Sequence, residues 1–263
     1  MLKLKKSLGQ NFLFDKNIIN KIVSLENLKN QTIIEIGPGS GNLTDVIIKK
    51  DPKRIILIEK DIRFYKLLKE KIQIAKNLEI YNQDILQYNF KEFPFKNVII
   101  FGNLPYNIST QILAKFISVK RWPPFYNKII FMFQKEVADR ILAKPNTKQY
   151  GRISVLANYR LEMINNFEIS KNCFFPKPAV NSKIIVFKPK FKLNYRIRDI
   201  KNLEKITNIF FSGKRKMINK PLSKIFKEYK NIAQTLKLNL NSRPSDLTSL
   251  DYFRLTEEYE KNN

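Results

Sequence analysis

Histidine is absent from this chain of 263 residues, and cysteine occurs only once, at Cys173. Serine and cysteine nucleophiles usually need an imidazole base, and zinc sites usually need histidine or several cysteines. The sequence therefore excludes histidine-dependent hydrolases and zinc enzymes, and we expect no metal. A single cysteine also excludes an internal disulfide and favours a reducing compartment. We interpret Cys173 as structural, because nothing near it in the sequence would lower the pKa of its thiol.

Long apolar runs are absent as well. No run approaches the roughly 20 residues that span a bilayer. The basic start, MLKLKKSLGQ, is not followed by the apolar stretch of a signal peptide. The sequence therefore predicts a soluble, cytoplasmic protein that has no membrane partner.

Acidic residues are few compared with basic ones. The chain has 23 Asp and Glu against 49 Lys and Arg, which gives a formal net charge of +26. The basic residues are spread along the chain rather than confined to a tail, and such an excess indicates a polyanionic partner. The chain is also rich in Lys, Ile and Asn, so the compositional bias of a genome is the alternative explanation for part of the excess.

Short apolar runs recur along the chain with helical patterns between them. This rhythm is typical of βαβ units and predicts an α/β fold around a parallel sheet. Two later runs, at 162–170 and 181–189, lie too close together for a crossover helix, and we expect them to pair antiparallel at the edge of the sheet. The predicted parallel strands are TIIEIG (32–37), RIILIEKD (54–61), LEIYNQD (78–84), VIIFGN (98–103) and KIIFMF (128–133).

Helix caps and a change of pattern complete the predicted organisation. Asp15 is expected to cap a helix over 16–23, and Ser109 with Thr110 a helix that follows. Beyond residue 190 the strand rhythm stops and the pattern turns helical, with a capping-box spacing at Thr248 and Asp251. We therefore predict an α/β domain over 1–190 and a small helical domain over 191–263.

Glycine is scarce, and its placement indicates a ligand site. Only seven residues are glycine, and three of them, Gly37, Gly39 and Gly41, follow the first predicted strand. Glycine there allows positive φ and lets a ligand approach the backbone. Glu59 and Asp84 lie at the ends of the next two predicted strands, and an acid at such a position can bind ribose hydroxyls. The ligand is predicted to be a nucleoside, with NAD and S-adenosylmethionine both open at this point.

The stretch NLPY, which is Asn103, Leu104, Pro105 and Tyr106, favours S-adenosylmethionine. Hydride transfer has no use for it, whereas methyl transfer to an exocyclic amine does, because that nitrogen attacks poorly. The Asn103 side-chain oxygen and the Leu104 carbonyl can accept the two amino N–H groups, so that charge can build on the nitrogen. Pro105 holds the turn and has no competing N–H, and Tyr106 offers a ring on which a base can stack.

Together these motifs identify the chain as similar to a known family. The sequence resembles the ribosomal RNA adenine N6,N6-dimethyltransferases, the kasugamycin-sensitivity family, over nearly its whole length. The resemblance implies a Rossmann-like class I S-adenosylmethionine-dependent methyltransferase fold with a small C-terminal helical domain that binds RNA. The stretches that carry it are GQNFLFD (9–15), EIGPGSGNLT (35–44), IEKD (58–61), QDIL (83–86), GNLPYNIST (102–110), FQKEVADRI (133–141), YGRISV (150–155) and FFPKPAVNS (174–182).

The resemblance also implies roles for individual residues. The segment with Asn11 and Leu13 closes over the methyl donor, and Phe174 stacks on the target adenine opposite Tyr106. Two aromatics stand side by side in this chain, so Phe174 and Phe175 are both candidates for the stacking residue. The run from Lys214 to Lys216 resembles the RNA-facing helix of the family, and the protein is expected to be a monomer. The residues implied to bind the donor are Asn11, Leu13, Gly37, Gly39, Glu59, Asp84 and Asn103.

The family acts on two adjacent adenosines in a hairpin loop near the 3′ end of small-subunit (16S) ribosomal RNA. A large-subunit methyltransferase of the antibiotic-resistance type is the nearest alternative, because its motifs overlap these. Asn-Leu-Pro-Tyr, rather than Asn-Ile-Pro-Tyr, and the stretch FQKEVADRI favour the small-subunit enzyme. DNA adenine methylation is disfavoured, because those enzymes typically carry a Pro-Pro pair at this motif. A non-catalytic assembly factor is a third alternative, but such a protein should have lost its donor-binding motifs, and here those motifs are present.

Overall fold

The structure is a computed structural model that describes residues 11–72, 77–90 and 93–262. Gly9 and Gln10, which open the motif GQNFLFD, lie outside the described residues. The chain divides into two compact units, each built from three segments. The first consists of Met1–Leu113, Pro123–Ala138 and Met163–Pro189, and the second of Ala114–Trp122, Asp139–Glu162 and Lys190–Asn263.

Strands form wherever the apolar runs predicted them, and a short two-stranded ladder is added. In chain order the strands are β1 (Phe12–Leu13), β2 (Thr32–Ile36), β3 (Arg54–Glu59), β4 (Leu78–Asn82), β5 (Val98–Asn103), β6 (Tyr126–Gln134), β7 (Leu161–Ile169), β8 (Phe174–Phe175) and β9 (Ser182–Pro189).

Helices alternate with these strands and dominate the last third of the chain. They are α1 (Lys16–Val23), α2 (Asn42–Ile48), α3 (Ile62–Ile72), α4 (Ser109–Ile117), α5 (Lys135–Ile141), α6 (Arg152–Arg160), α7 (Ile200–Phe211), α8 (Asn219–Ile225), α9 (Tyr229–Thr235) and α10 (Ser249–Lys261). None of the helices in the described ranges is long and apolar enough to span a membrane.

The first unit is built on a seven-stranded sheet in the order β4-β3-β2-β5-β6-β9-β7. The five neighbouring strands β4, β3, β2, β5 and β6 are parallel, which confirms the predicted Rossmann-like α/β sheet. The central strands are apolar at successive positions because both faces of the sheet are covered, and Ile33, Ile56 and Ile100 are all at most 1% exposed. The parallel strands thus end together at one carboxyl edge, where ligands bind in open α/β sheets.

Strand β9 reverses direction beside β6, with Met132 opposite Ile184 and Gln134 opposite Ser182. Because the two strands are antiparallel, the first residues of β9 lie level with the last residues of β6. Strand β7 is the neighbour of β9 and ends the sheet, so the two later runs do adjoin at the edge as predicted. The reversal brings Ser182 and the loop before it to the carboxyl edge of the parallel strands.

The second unit is helical and does not coincide with one continuous stretch of sequence. Its last segment begins at Lys190, close to the predicted boundary, but helix α6 and its flanks also belong to it. Helices α6 and α10 both pack on α7, and the ring of Tyr252 lies 5.5 Å from that of Phe210. The predicted capping box is present, with Thr248 and Asp251 exchanging hydrogen bonds at the start of α10. An RNA-binding role for residues 191–263 stays a prediction.

Candidate active site

One cavity lies at the carboxyl edge of the parallel sheet in the first unit. It is lined by residues that follow four neighbouring strands, and by the chain around β1. The predicted site residues that line it are Asn11, Leu13, Gly37, Gly39, Glu59, Asp84, Asn103, Leu104, Pro105 and Tyr106. The described residues contain no cluster of three side chains that could ligate a metal ion.

The turn after β2 depends on glycine at two positions in the cavity wall. Gly37 and Gly39 have φ angles of 63° and 54°, in the left-handed region that other residues rarely adopt. A Cβ atom at Gly39 would also overlap the ring of Phe12. A Cβ at Gly37 would meet no atom within 4 Å, so it would project into open space of the cavity. The turn therefore needs glycine for its backbone at both positions and for close packing at Gly39.

Glu59 ends β3, and its carboxylate is held by the backbone. Oε2 accepts a hydrogen bond of 3.0 Å from the Gly39 N–H, and Oε1 accepts one of 2.7 Å from the Asp61 N–H. The side chain is buried, and this burial, together with the charge of Asp61, raises the pKa of Glu59 above its ordinary value. Glu59 thus fixes the glycine turn and places a carboxylate in the wall of the cavity.

Asp84 lies two residues beyond the end of β4, in the turn rather than in the strand. The sequence predicted that it would end the strand, and that boundary was wrong because β4 stops at Asn82. Its Oδ1 accepts a hydrogen bond of 2.9 Å from the Leu86 N–H. Its Oδ2 pairs with the Lys60 ammonium at 2.8 Å. Both residues line the cavity, so an ion pair stands at this part of its wall.

Asn103 is the last residue of β5 and is opposite Met132 of β6. Its Nδ2 donates a hydrogen bond of 3.0 Å to the backbone carbonyl of Asn11. This contact orients the amide, because the nitrogen is directed at Asn11 and the oxygen lies on the other side. Among the residues that the structure describes, none donates to Oδ1 of Asn103. The site therefore contains an oriented amide oxygen that can accept a hydrogen bond.

Tyr106 is half-buried in the same loop, and its hydroxyl lies 2.7 Å from the hydroxyl of Ser182. Burial raises the pKa of Tyr106, so the phenol is neutral in neutral solution. Ser109 does not cap α4 as predicted. A cap residue precedes the helix, whereas Ser109 is itself the first residue of α4. Its Oγ donates a hydrogen bond of 3.1 Å to the carbonyl of Tyr106.

The two candidate stacking residues, Phe174 and Phe175, face opposite ways. They form β8, which pairs antiparallel with β1 so that Leu13 is opposite Phe174 and Phe12 is opposite Phe175. Phe174 is only 2% exposed and belongs to the hydrophobic core, whereas Phe175 is 57% exposed. Cross-strand partners share a face of the ladder, so Phe175 shares the face of Phe12, whose ring packs over Gly39.

This difference in burial predicts a difference between two alanine variants. Phe174→Ala should lower the free energy of unfolding by about 3 to 5 kcal/mol, the usual cost of deleting a buried ring. Phe175→Ala should change it by no more than about 0.5 kcal/mol, as is usual for a surface substitution. Chemical denaturation of both variants checks this. A loss in Phe174→Ala as small as that expected for Phe175→Ala would mean that Phe174 is not a core residue in solution.

Three residues that contact cavity-lining side chains were not predicted as site residues. Lys60 contacts Asp84, Thr44 donates a hydrogen bond of 2.7 Å to the buried Glu35, and Ser182 contacts Tyr106. Each occurs inside a quoted motif, so the motifs contained the signal. What sequence could not supply was the partner, because each contact joins side chains from two different elements.

In the second unit, the basic run Lys214, Arg215 and Lys216 differs from the predicted RNA-facing helix. The run lies in the turn after α7, not in a helix. Lys214 donates hydrogen bonds to the backbone carbonyls of Lys148 and Tyr150, at 2.6 and 2.5 Å, and burial lowers the pKa of its ammonium. Arg215 and Lys216 are exposed. Lys214 therefore supports the neighbouring loop, while the other two project into solvent.

Comparison with known proteins gives consistent matches over nearly the whole chain. The family model for ribosomal RNA adenine dimethylase matches residues 1–261. A protein of Pelagibacter ubique, named ribosomal RNA small subunit methyltransferase A, is 44% identical over 259 residues, which cover 98% of each chain. A protein of the same name from Mycoplasmopsis synoviae is 40% identical over 250 residues, with 92% of each chain covered.

Solved structures agree with these matches. A dimethyladenosine transferase from Plasmodium falciparum superposes with a TM-score of 0.74 at 26% identity, covering 95% of this chain and 97% of that one. The 23S rRNA methyltransferase ErmE superposes with a TM-score of 0.67 at 21% identity, covering 95% and 99%. The second likeness bears on the fold alone.

Proposed function

Because the chain belongs to the ribosomal RNA adenine dimethylase family, we propose that it dimethylates N6 of two adjacent adenosines near the 3′ end of small-subunit (16S) ribosomal RNA. The methyl donor is S-adenosyl-L-methionine. The observation that carries the proposal is Asn103, whose amide is oriented at the cavity by its hydrogen bond to the Asn11 carbonyl. Labelled methyl transfer to small subunits that lack the modification, with mapping of the modified nucleotides, tests the proposal directly.

The residues of the cavity fit such a donor. The glycine turn lets a ligand approach the backbone at Gly37, and Glu59 presents a buried carboxylate to a ribose. Asp84 offers an acceptor for an adenine amino group, and the β1 segment, with Asn11 and Leu13, lines the cavity. S-adenosylmethionine supplies an electrophilic methyl group on a positively charged sulfur when it is bound.

The chain's contribution to the reaction is to make the target amine a better nucleophile. The lone pair of an adenine amino nitrogen is delocalised into the ring, so it attacks poorly. In the first transfer, Oδ1 of Asn103 and the Leu104 carbonyl accept the two amino N–H groups, and in the second transfer one N–H remains for them to accept. These contacts favour positive charge on the nitrogen as it attacks, and the methylated nitrogen then gives up one proton to water. Acceptors that are already oriented cost no reorganisation at that moment. No histidine is needed, which agrees with a chain that has none.

Tyr106 meets the target base with its ring. The phenol is neutral and its hydroxyl is bound to Ser182, so it is no candidate for a base. Exposure favours Phe175 over Phe174 as the second stacking surface. If Phe175 stacks, Phe175→Ala should slow transfer although it leaves stability unchanged.

Removing the ring of Tyr106 tests the stacking role. Tyr106→Ala should weaken productive binding of the target base by about 1 to 3 kcal/mol, the usual contribution of base–aromatic stacking. Single-turnover transfer at several concentrations of small subunits measures this loss. Donor affinity, measured by calorimetry, should be unchanged. A wild-type rate in Tyr106→Ala would show that the base is held elsewhere.

The positive surface predicts how the RNA is bound. With a net charge of +26, binding should rest on phosphate contacts, so that log affinity falls linearly with log salt by about 0.7 to 0.9 per contact. Lys216→Gln should lower that slope by about one contact. Lys261→Gln should not change it, because the ammonium of Lys261 pairs with Glu258. Filter binding at several salt concentrations checks this. A flat profile would contradict phosphate-dominated binding.

The natural substrate is a partly assembled small subunit, because specificity for RNA comes from shape and from unstacked bases rather than from duplex sequence. The protein acts as a monomer in the cytoplasm, where it meets that substrate. Two alternatives predict different products. A large-subunit methyltransferase would place dimethyladenosine in large-subunit RNA, and a non-catalytic assembly factor would place it nowhere. Mapping both RNAs after the reaction distinguishes all three.

A further inference from the structure

We propose that Ser182 is a positioning residue for methyl transfer, because it holds the ring of Tyr106 at the angle that the target base needs. The inference rests on the proposed function, in which Tyr106 stacks on the adenine. Ser182 is the last residue of the motif FFPKPAVNS and the first residue of β9. It does not line the cavity and so acts only through Tyr106.

The order of the strands explains why a residue so far along the chain reaches this site. Asn103 at the end of β5 is opposite Met132 of β6, and Met132 is opposite Ile184 of β9. Because β9 runs antiparallel to β6, its first residue lies at the same edge as the last residue of β5. A parallel strand in this place would present its last residue there instead, and the loop that precedes β9 would lie at the opposite edge.

The contact itself is short, and its serine side is shielded from water. The two hydroxyls are 2.7 Å apart, and Ser182 is fully buried. A hydrogen bond in a partly buried, low-dielectric place holds its partner more firmly than one at the surface. The Tyr106 side chain is thus fixed at both ends, by the backbone that follows Pro105 and by its hydroxyl, which sets the direction of the ring.

Ser182 can serve as an anchor because the residue before it is held on two sides. The backbone carbonyl of Asn181 accepts a hydrogen bond of 2.9 Å from the Lys135 N–H. The side-chain Oδ1 of Asn181 accepts one of 3.1 Å from the Lys171 N–H. The loop with Phe175 ends at this same point. The start of β9 is therefore connected to both aromatic surfaces proposed for the base, to Tyr106 by a hydrogen bond and to Phe175 by the chain.

This arrangement assigns the hydroxyl of Tyr106 a task that leaves its ring free. A ring held at one angle loses less freedom when a base stacks on it, and the reacting nitrogen is then delivered to Asn103 in a narrower range of positions. Correct placement of reacting groups affects the rate of the chemical step more than affinity. The effect should therefore be found in the rate at saturation and not in donor binding.

The test is a double-mutant cycle with Ser182→Ala and Tyr106→Phe. Single-turnover transfer to unmodified small subunits, at saturating donor and saturating subunits, should fall about 3- to 10-fold in each variant, the range of one neutral hydrogen bond. The double variant should fall no further than either single one, because both remove the same contact. The donor dissociation constant should stay within about twofold of wild type, because Ser182 does not line the cavity and Tyr106→Phe keeps the ring.

Ser154→Ala is the matched control, because Ser154 is also buried and its Oγ donates a hydrogen bond of 2.6 Å to the Arg140 carbonyl. It should lower thermal stability without changing the transfer rate. Independent, multiplying effects of the two site variants would overturn the proposal, and so would a wild-type rate in Ser182→Ala. If Ser182→Ala does not fold, a wild-type rate in Tyr106→Phe overturns it as well. Failure of the wild-type protein to methylate small subunits would instead refute the proposed function.

Discussion

Asn103→Ala should lower the single-turnover rate of methyl transfer by about three orders of magnitude, with folding and RNA binding close to wild type. Loss of one oriented hydrogen-bonding group at a reacting centre costs about 10²- to 10³-fold in other enzymes. Here the same side chain also fixes the Asn11 carbonyl, so the loss should lie at or beyond the upper end of that range. Quenched-flow transfer of labelled methyl at saturating donor measures it.

A matched variant separates the two roles of Asn103. The amide of Asn42 makes a parallel contact, because its Nδ2 donates a hydrogen bond of 2.8 Å to the carbonyl of Leu13 in the same N-terminal segment. Asn42→Ala removes a tether of that segment but no acceptor for the target amine. We expect it to weaken donor affinity by about tenfold at most, a single hydrogen bond, with a far smaller loss of rate than Asn103→Ala. Similar losses in both variants would assign Asn103 to the tether alone.

Asn103→Asp tests two properties in which a carboxylate differs from the amide, its inability to donate a hydrogen bond and its full negative charge. The carboxylate still accepts from the amino group, so a residue of activity should remain. It cannot donate to the Asn11 carbonyl, and its full charge beside a positively charged donor favours the bound ground state as well as the transition state. Binding that improves equally in both states does not accelerate the step. Asn103→Asp should therefore bind the donor well and transfer slowly, between wild type and Asn103→Ala.

The sheet could be predicted from the sequence because its central strands carry an uninterrupted signal. Runs such as the one over 98–101 are apolar at every position, which is typical of a parallel strand covered on both faces. The ladder of β1 and β8 could not be predicted, because two residues have no period and the partners are more than 150 positions apart. Helix α6 was missed as part of the second unit for a related reason. Most of its residues are buried, and its polar residues are not gathered on one face, so its sequence pattern does not indicate where it packs.

The site was predictable where one residue follows one strand. Glu59 and Asn103 end their strands as expected, and the strand order alone brings them together. It was not predictable where a side chain is oriented by a second element. The choice between Phe174 and Phe175 depends on the register with β1, and the engagement of Lys214 depends on two backbone carbonyls of a distant loop. Motif spacing contains neither kind of information.

Glu59→Ala should weaken donor binding by at least about 1.5 kcal/mol, or more than tenfold, the loss expected for charged hydrogen bonds. The variant removes the carboxylate proposed for the ribose and also the acceptor that holds the Gly39 N–H. Calorimetry at neutral pH measures the loss. Glu79→Ala is the control, because Glu79 lies in the neighbouring strand, pairs with Arg54 outside the cavity and should leave donor affinity unchanged. Unchanged affinity in Glu59→Ala would mean that the ribose lies elsewhere.

The same carboxylate predicts two opposite responses to pH. Burial raises the pKa of Glu59 above its ordinary value of 4.5, so its ionisation opposes folding, and its contribution to stability should decrease as the pH rises from 4.5 through the raised pKa. Donor binding should change in the other direction, because only the ionised carboxylate is a full acceptor for the ribose hydroxyls. Affinity should therefore decrease as the pH is lowered through the raised pKa, while an exposed glutamate would still be ionised. Glu59→Ala should lose both trends, as measured by calorimetry and thermal unfolding over the range in which both proteins are folded. Parallel profiles for wild type and variant would show that another group is responsible.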